Sequence, residues 1–227
     1  MDDSLLIKAI ITTSILLITT VIGILLYTKK QTKNTILLLG TSNAGKTAMY
    51  IWLKSGKKHP TVSSIKENEG QITVNKKTFE LIDIPGHERV RYRYTDFLPV
   101  TRSIIFVIDS TSISRQIRPV AEYLYDILAK PIVQKQRIPI LIACNKSDMI
   151  TALPIEKIKT LLELEINRLR NTRTARVEQQ EEDDEQEEFL GYEGEDFKLN
   201  HVDNRIDFES CSVENQDLAN IKDWIFQ

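Results

Sequence analysis

The chain has 227 residues, 41% apolar and 27% charged, with a formal net charge of −2. That balance excludes a wholly disordered chain, and the lack of a basic excess gives no reason to expect direct nucleic-acid binding. Its two cysteines, Cys144 and Cys211, can build neither a disulfide framework nor a four-thiolate zinc site and read as packing residues of a reduced, cytosol-facing domain.

Ala9 to Thr28 is a run of 20 residues without a charge. As a helix rising about 1.5 Å per residue it reaches roughly 30 Å, the hydrocarbon thickness of a bilayer. Started at Leu5, with Lys8 snorkelling to a head group, the pattern predicts a transmembrane helix over 5–28. A cleaved leader would carry basic residues in front and small residues at its end. Here Asp2 and Asp3 precede the run, and Lys29, Lys30 and Lys33 follow it. The positive flank places everything after Lys29 on the cytosolic side.

From 35 to 227 strand and helix patterns alternate. TILLLG (35–40) has the form of a buried parallel strand, followed by a helix from Lys46. QITV (71–74) and TFELID (78–83) read as a hairpin through Asn75, Lys76 and Lys77. SIIFVID (103–109) and PILIACN (139–145) are further buried strands, separated by a helix over 114–130. Pro154 opens a helix running to about Arg170, since proline suits a first helical turn. A weak strand over 205–210 and a helix over 215–226 close the chain. This order predicts an α/β fold with a mostly parallel central sheet, whose ligands sit beyond the carboxyl ends of the strands. One stretch breaks the pattern: 178–188 holds eight acidic residues in eleven. Such a run repels itself, so an inserted disordered loop over about 175–198 is expected.

Gly40, Thr41, Ser42, Asn43, Ala44, Gly45, Lys46 and Thr47 match G-x-x-x-x-G-K-[ST] between a strand and a helix. The glycines let backbone amides converge on phosphate oxygens, and the helix N-terminus adds partial positive charge. Lys46 reaches the β and γ phosphates, and Thr47 offers a hydroxyl to Mg²⁺. Asp83 ends a strand ahead of Pro85, Gly86 and His87; its carboxylate can hold Mg²⁺, and Gly86 lets a backbone amide approach the γ-phosphate. Thr61 is the candidate second metal hydroxyl, with Ser63 and Ser64 as substitutes. Asn145, Lys146 and Asp148 form N-K-x-D after a strand. The Asp148 carboxylate would accept from guanine N1–H and the 2-amino group, a recognition worth roughly 10⁴–10⁵ in discrimination. Lys146 would cover the purine face, and Asn145 would tie this loop to the phosphate loop. Ser210, Cys211 and Ser212 can offer backbone amides to guanine O6.

These motifs resemble the Ras-like small GTPase superfamily, P-loop proteins of the Ras/Arf kind, from about Thr35 to Gln227 with the acidic loop inserted. More narrowly, the N-terminal apolar run, GTSNAGKT, HPTVSS, DIPGHE followed by Arg89 and Arg91, and LIACNKSD resemble the beta-subunit family of the signal recognition particle receptor. The resemblance implies GTP and Mg²⁺ as ligands and a single-pass protein of the endoplasmic reticulum membrane with a cytosolic GTPase domain. It also implies a heterodimer with the receptor alpha subunit in the GTP state, serving cotranslational targeting near the ribosome or translocon. A cycling Arf/Sar-like GTPase of vesicle traffic is the alternative. Ras-like proteins usually carry glutamine after the equivalent of Gly86; here His87 stands there and can orient water through a ring nitrogen. No arginine finger is assignable, so at most slow intrinsic hydrolysis is expected.

Overall fold

The computed structural model describes residues 12–20, 33–62, 64–74, 77–177, 190–192 and 194–226. The chain divides into two units, Met1–Thr32 and Lys33–Gln227. In the first, residues 12–20 are helical and exposed. The rest of the expected 5–28 span lies outside the described residues, and no helix among the described residues is long and apolar enough to cross a membrane.

The second unit is a six-stranded sheet of β1 (Thr35–Leu39), β2 (Asn68–Val74), β3 (Lys77–Asp83), β4 (Thr101–Asp109), β5 (Ile140–Asn145) and β6 (Ile206–Ser210). Its order is β2-β3-β1-β4-β5-β6. Only β2 runs antiparallel, joined to β3 as the expected hairpin with Val74 opposite Lys77. Among the described residues the α-helices of this unit are α1 (Lys46–Ser55), α2 (Glu88–Arg91), α3 (Tyr94–Phe97), α4 (Ile113–Leu128), α5 (Pro131–Lys135) and α6 (Ile155–Val177) between strands, and α7 (Ala219–Phe226) after the last.

Side chains alternate across a strand, so each central strand feeds two cores. Ile36 and Leu38 join Ile105, Val107, Leu141 and Ala143 in a cluster capped by α1 and α7 through Met49, Trp52, Ile221 and Trp224. Leu37 and Leu39 join Ile104, Phe106, Ile108 and Ile142 on the other face, under α4 and α6 through Leu124, Leu128, Ile158 and Leu162. Each such fully buried aliphatic side chain contributes about 1.5–3 kcal/mol. This two-sided burial is why the strands read as continuous apolar runs.

Several boundaries differ from expectation, each for a local reason. Within α4, Gln116 leaves helical geometry at φ −114° and ψ 18°, three residues before Pro119. Proline supplies no N–H and crowds the carbonyl one turn back. The last helix begins at Ala219 rather than 215, because Gln216 is left-handed at φ 60° and Asp217 N–H closes a turn onto Ser212 O at 2.8 Å. Helix α6 continues past Arg170 to Val177.

Of the expected loop over 175–198, residues 175–177 belong to α6 and 190–192 and 194–198 are described. Leu190, Phe197 and Leu199 are buried in the core. The buried Arg170 guanidinium donates to Leu190 O and Tyr192 O, both at 3.1 Å, and to Glu195 O. The Glu163 carboxylate accepts from Leu199 N at 3.1 Å and Lys198 Nζ at 3.2 Å. The acidic run itself lies outside the described residues.

Candidate functional site

The loops that follow β1, β3, β5 and β6 all leave the same edge of the sheet, since those strands run parallel. Those after β1, β3 and β5, together with the loop before β2, line a cavity of about 990 Å³. Its walls are Ser42, Asn43, Gly45, Lys46 and Thr47 from the first loop; Thr61, Val62, Ser64 and Ile65 from the loop before β2; Pro85, Gly86, His87, Arg89 and Val90 after β3; and Lys146.

The first loop, from Gly40 and Thr41 through Ala44, wraps the start of α1. Asn43 and Gly45 are both left-handed, at φ 64° and 97°. A Cβ on Gly45 would lie 2.2 Å from Asn145 Nδ2, so close approach of another loop requires glycine there. Gly86 is pressed onto the same loop: a Cβ would stand 2.6 Å from Gly40 O, Lys46 Nζ and Ser42 N. The cradle is thus kept clear of side chains, and the amides at the start of α1 remain available to an anion. Lys46 is buried and donates to Thr41 O at 2.8 Å. Burial lowers its ammonium to about 8, against the pull of the Asp83 carboxylate.

Asp83 is fully buried at the end of β3. Its Oδ2 accepts from Thr47 Oγ1 at 2.7 Å and Asn68 Nδ2 at 3.0 Å. Its Oδ1 is buried with no hydrogen-bond partner among the described residues. Burial raises the Asp83 carboxyl above its ordinary range, and the bonds from Thr47 and Asn68 and the nearby Lys46 oppose the rise. A buried carboxylate with one unpaired oxygen, a hydroxyl beside it and a clear phosphate cradle fits a hard divalent cation with a nucleotide phosphate. Thr61 is exposed and lines the cavity wall. A hydroxyl that reaches Thr47 is that of Ser64, at 3.1 Å; Ser63 lies outside the described residues.

His87 lines the cavity but is exposed. Its Nδ1 accepts from Arg89 N at 3.3 Å, which makes it the N-cap of α2. Arg93, between α2 and α3, pairs with Glu67 at 2.7 Å and so links this segment to the entry of β2.

On the base side, Asn145 Nδ2 donates to Ala44 O at 2.8 Å, and Asn145 Oδ1 accepts from Val213 N at 3.1 Å. One amide therefore holds three loops in register. Lys146, left-handed at φ 64°, donates to Asp109 Oδ2 at 2.6 Å. Burial alone would raise the Asp109 carboxyl, but bonds from Lys146 and Thr111 outweigh it and hold the group below its ordinary value. Asp148 Oδ1 accepts from Ser212 Oγ at 2.6 Å. The expectation for 210–212 changes in detail. Cys211 N donates to Cys144 O at 3.0 Å and Ser212 N to Asp217 O at 3.2 Å, so these amides serve the fold. Ser210, at the end of β6, is exposed. The Ser212 hydroxyl is the group turned to the base loop. Both cysteines are buried, and burial lifts the Cys144 thiol to about 12 and Cys211 higher still, as befits packing residues.

Sequence reasoning did not find Asn68, Asp109 or the part played by Ser212. Asn68 and Asp109 lie at strand ends with no motif around them, and only sheet register shows what they meet.

A family model described as signal recognition particle receptor beta subunit matches residues 31–206. Signal recognition particle receptor subunit beta of Mus musculus is 30% identical over 235 residues, covering 99% of this chain and 87% of that protein. Among solved structures, one described as the structure of the mammalian SRP receptor superposes with a TM-score of 0.75 at 31% identity, over 84% of this chain and 97% of that one. The receptor SRb-GDP-Mg structure from Chaetomium thermophilum gives 0.67 at 26% identity, over 87% and 98%. The chain has the small GTPase fold and belongs to the signal recognition particle receptor beta subunit family. The Arf/Sar-like alternative is the less supported reading.

Proposed function

We propose that this receptor beta subunit binds GTP with Mg²⁺ and in that state holds the receptor alpha subunit at the endoplasmic reticulum membrane for cotranslational protein targeting. The observation that carries the nucleotide reading is the bridge made by Asn145, which fixes the base loop against Ala44 of the phosphate loop. Asp148 then presents its carboxylate to guanine N1–H and the 2-amino group, with Ser212 setting its orientation. Lys46 and the amides of residues 42–47 take the phosphates. Thr47 and Asp83 would hold Mg²⁺, directly or through water, with a hydroxyl from the loop before β2. The cation neutralises phosphate charge. The GDP and Mg of the Chaetomium thermophilum relative support that assignment.

Val62 and Ile65, 86% and 84% exposed, line the cavity, and Tyr92, 63% exposed, lies two residues beyond the lining residue Val90. A partner that senses the nucleotide would cover this apolar rim. His87 spends Nδ1 on the cap of α2 and keeps Nε2 to orient water; with no arginine finger assignable, intrinsic hydrolysis is at most slow, and GTP serves mainly as a ligand that orders the loops around Thr61 and Gly86. The apolar run over 9–28 is the membrane anchor, with the domain cytosolic.

The test is to purify the full chain in detergent, denature it and identify the released nucleotide. Guanine nucleotide is expected, with GTP prominent. Adenine nucleotide, or failure to bind either, would overturn the reading.

A further inference from the structure

The loop before β2 offers the metal site more than one hydroxyl, and sheet register chooses among them. Thr47 Oγ1 lies 2.7 Å from Asp83 Oδ2 and 3.1 Å from Ser64 Oγ. These hydrogen bonds gather two hydroxyls beside the Asp83 carboxylate, whose Oδ1 has no partner among the described residues, an all-oxygen set of the kind a small hard cation takes. Asn68 is the first residue of β2 and the cross-strand partner of Asp83. Its Nδ2 donates to Ser64 Oγ at 2.9 Å and to Asp83 Oδ2 at 3.0 Å, using both amide hydrogens. Thr61 lies outside this network. It has no side-chain hydrogen bond among the described residues and stands exposed on the cavity wall.

The geometry points to Ser64 as the hydroxyl that this loop delivers to the metal, and to Asn68 as the positioning residue that sets Ser64 and Asp83 together. Asn68 does not line the cavity. It acts through the two oxygens it holds, and its place in the β2–β3 ladder gives the loop a fixed hinge point. Removing such an outer partner typically weakens metal binding 10–100-fold. The inference rests on the guanine-nucleotide and Mg²⁺ reading above.

The experiment loads the full chain in detergent with a fluorescent GDP analogue and follows its dissociation as free Mg²⁺ is varied. Asn68→Ala and Ser64→Ala are expected to raise the Mg²⁺ concentration needed for half-maximal retention by about tenfold or more. Dissociation in excess chelator should stay near the wild-type rate, which a general loss of structure would not allow. Ser64→Thr, which keeps the hydroxyl, should restore most of the effect. Asn68→Asp provides a nearly isosteric check: it removes the donor, sets a like charge against Asp83 and should shift the curve in the same direction. A Thr61→Ala shift larger than that of Ser64→Ala would overturn the assignment of Ser64. Wild-type Mg²⁺ dependence in both Asn68 variants would overturn the positioning role. A wild-type chain that binds the analogue with no Mg²⁺ dependence, or not at all, would defeat the nucleotide reading itself.

Discussion

Lys46 shows how one residue carries the electrostatics of the site. Its ammonium is buried, and its pKa falls from 10.5 to about 8. The unfolded chain therefore holds more protons than the folded one between those values, and folding stability should rise as pH climbs through that window. At 1.36 kcal/mol per unit the gain is at most about 3 kcal/mol. Urea unfolding of the nucleotide-stripped chain at pH 7.5 and pH 10 should show it, and Lys46→Met should not; added guanine nucleotide, by keeping the lysine charged, should abolish it. Equal pH dependence in wild type and variant would show that burial does not hold the group down. On the proposed function Asp148 would carry the other half of recognition, and its Oδ1 accepts from Ser212 Oγ. Asp148→Asn replaces an acceptor by a donor where guanine presents N–H groups. GTP binding should weaken at least about 100-fold and xanthosine triphosphate should gain, since polar sites discriminate by unpaired groups. Competitive titration with both nucleotides decides the matter.

Elements were legible where their own sequence over-determined them. The strands over 35–39, 103–109 and 140–145 are dominated by apolar residues buried on both faces of the sheet. Helix α2 is four residues long, too short to show periodicity, and is held by the His87 cap. The return of the chain after the acidic run was not legible, because it depends on Arg170 and Glu163, whose partners lie beyond that run. In the fold both are buried, and Arg170 satisfies three backbone carbonyls from 190, 192 and 195. Arg170→Met should strand those acceptors at about 1–3 kcal/mol each, for a total loss of at least about 3 kcal/mol. Hydrogen exchange should then quicken across 190–198 while the amides of α1 keep their protection. Uniform loss of protection would mean that this segment unfolds only with the whole domain.

At the scale of the molecule, the site was legible because the motifs sit at the C-terminal ends of parallel strands, so order along the chain translates into position around one cavity. What the motifs did not reveal is contact between strands, as at Asn68, since register is a property of pairs. The same separation governs the acidic insertion. Its two ends are Val177, on a helix packed into the core, and Leu190, fixed by Arg170. Neither end belongs to the cavity lining. Replacing 178–188 by a four-residue Gly-Ser linker removes eight negative charges, taking the formal net charge from −2 to +6. Loop closure costs only (3/2)RT ln n, so shortening about twelve connecting residues to five should stabilise the domain by under about 1 kcal/mol. Guanine nucleotide affinity should stay within twofold at physiological salt, where the Debye length is about 8 Å. Thermal melting and nucleotide titration of the linker variant read the two quantities separately. A large fall in melting temperature would show that the acidic run packs on the domain. A large rise in affinity at unchanged stability would show that its charge reaches the phosphate site.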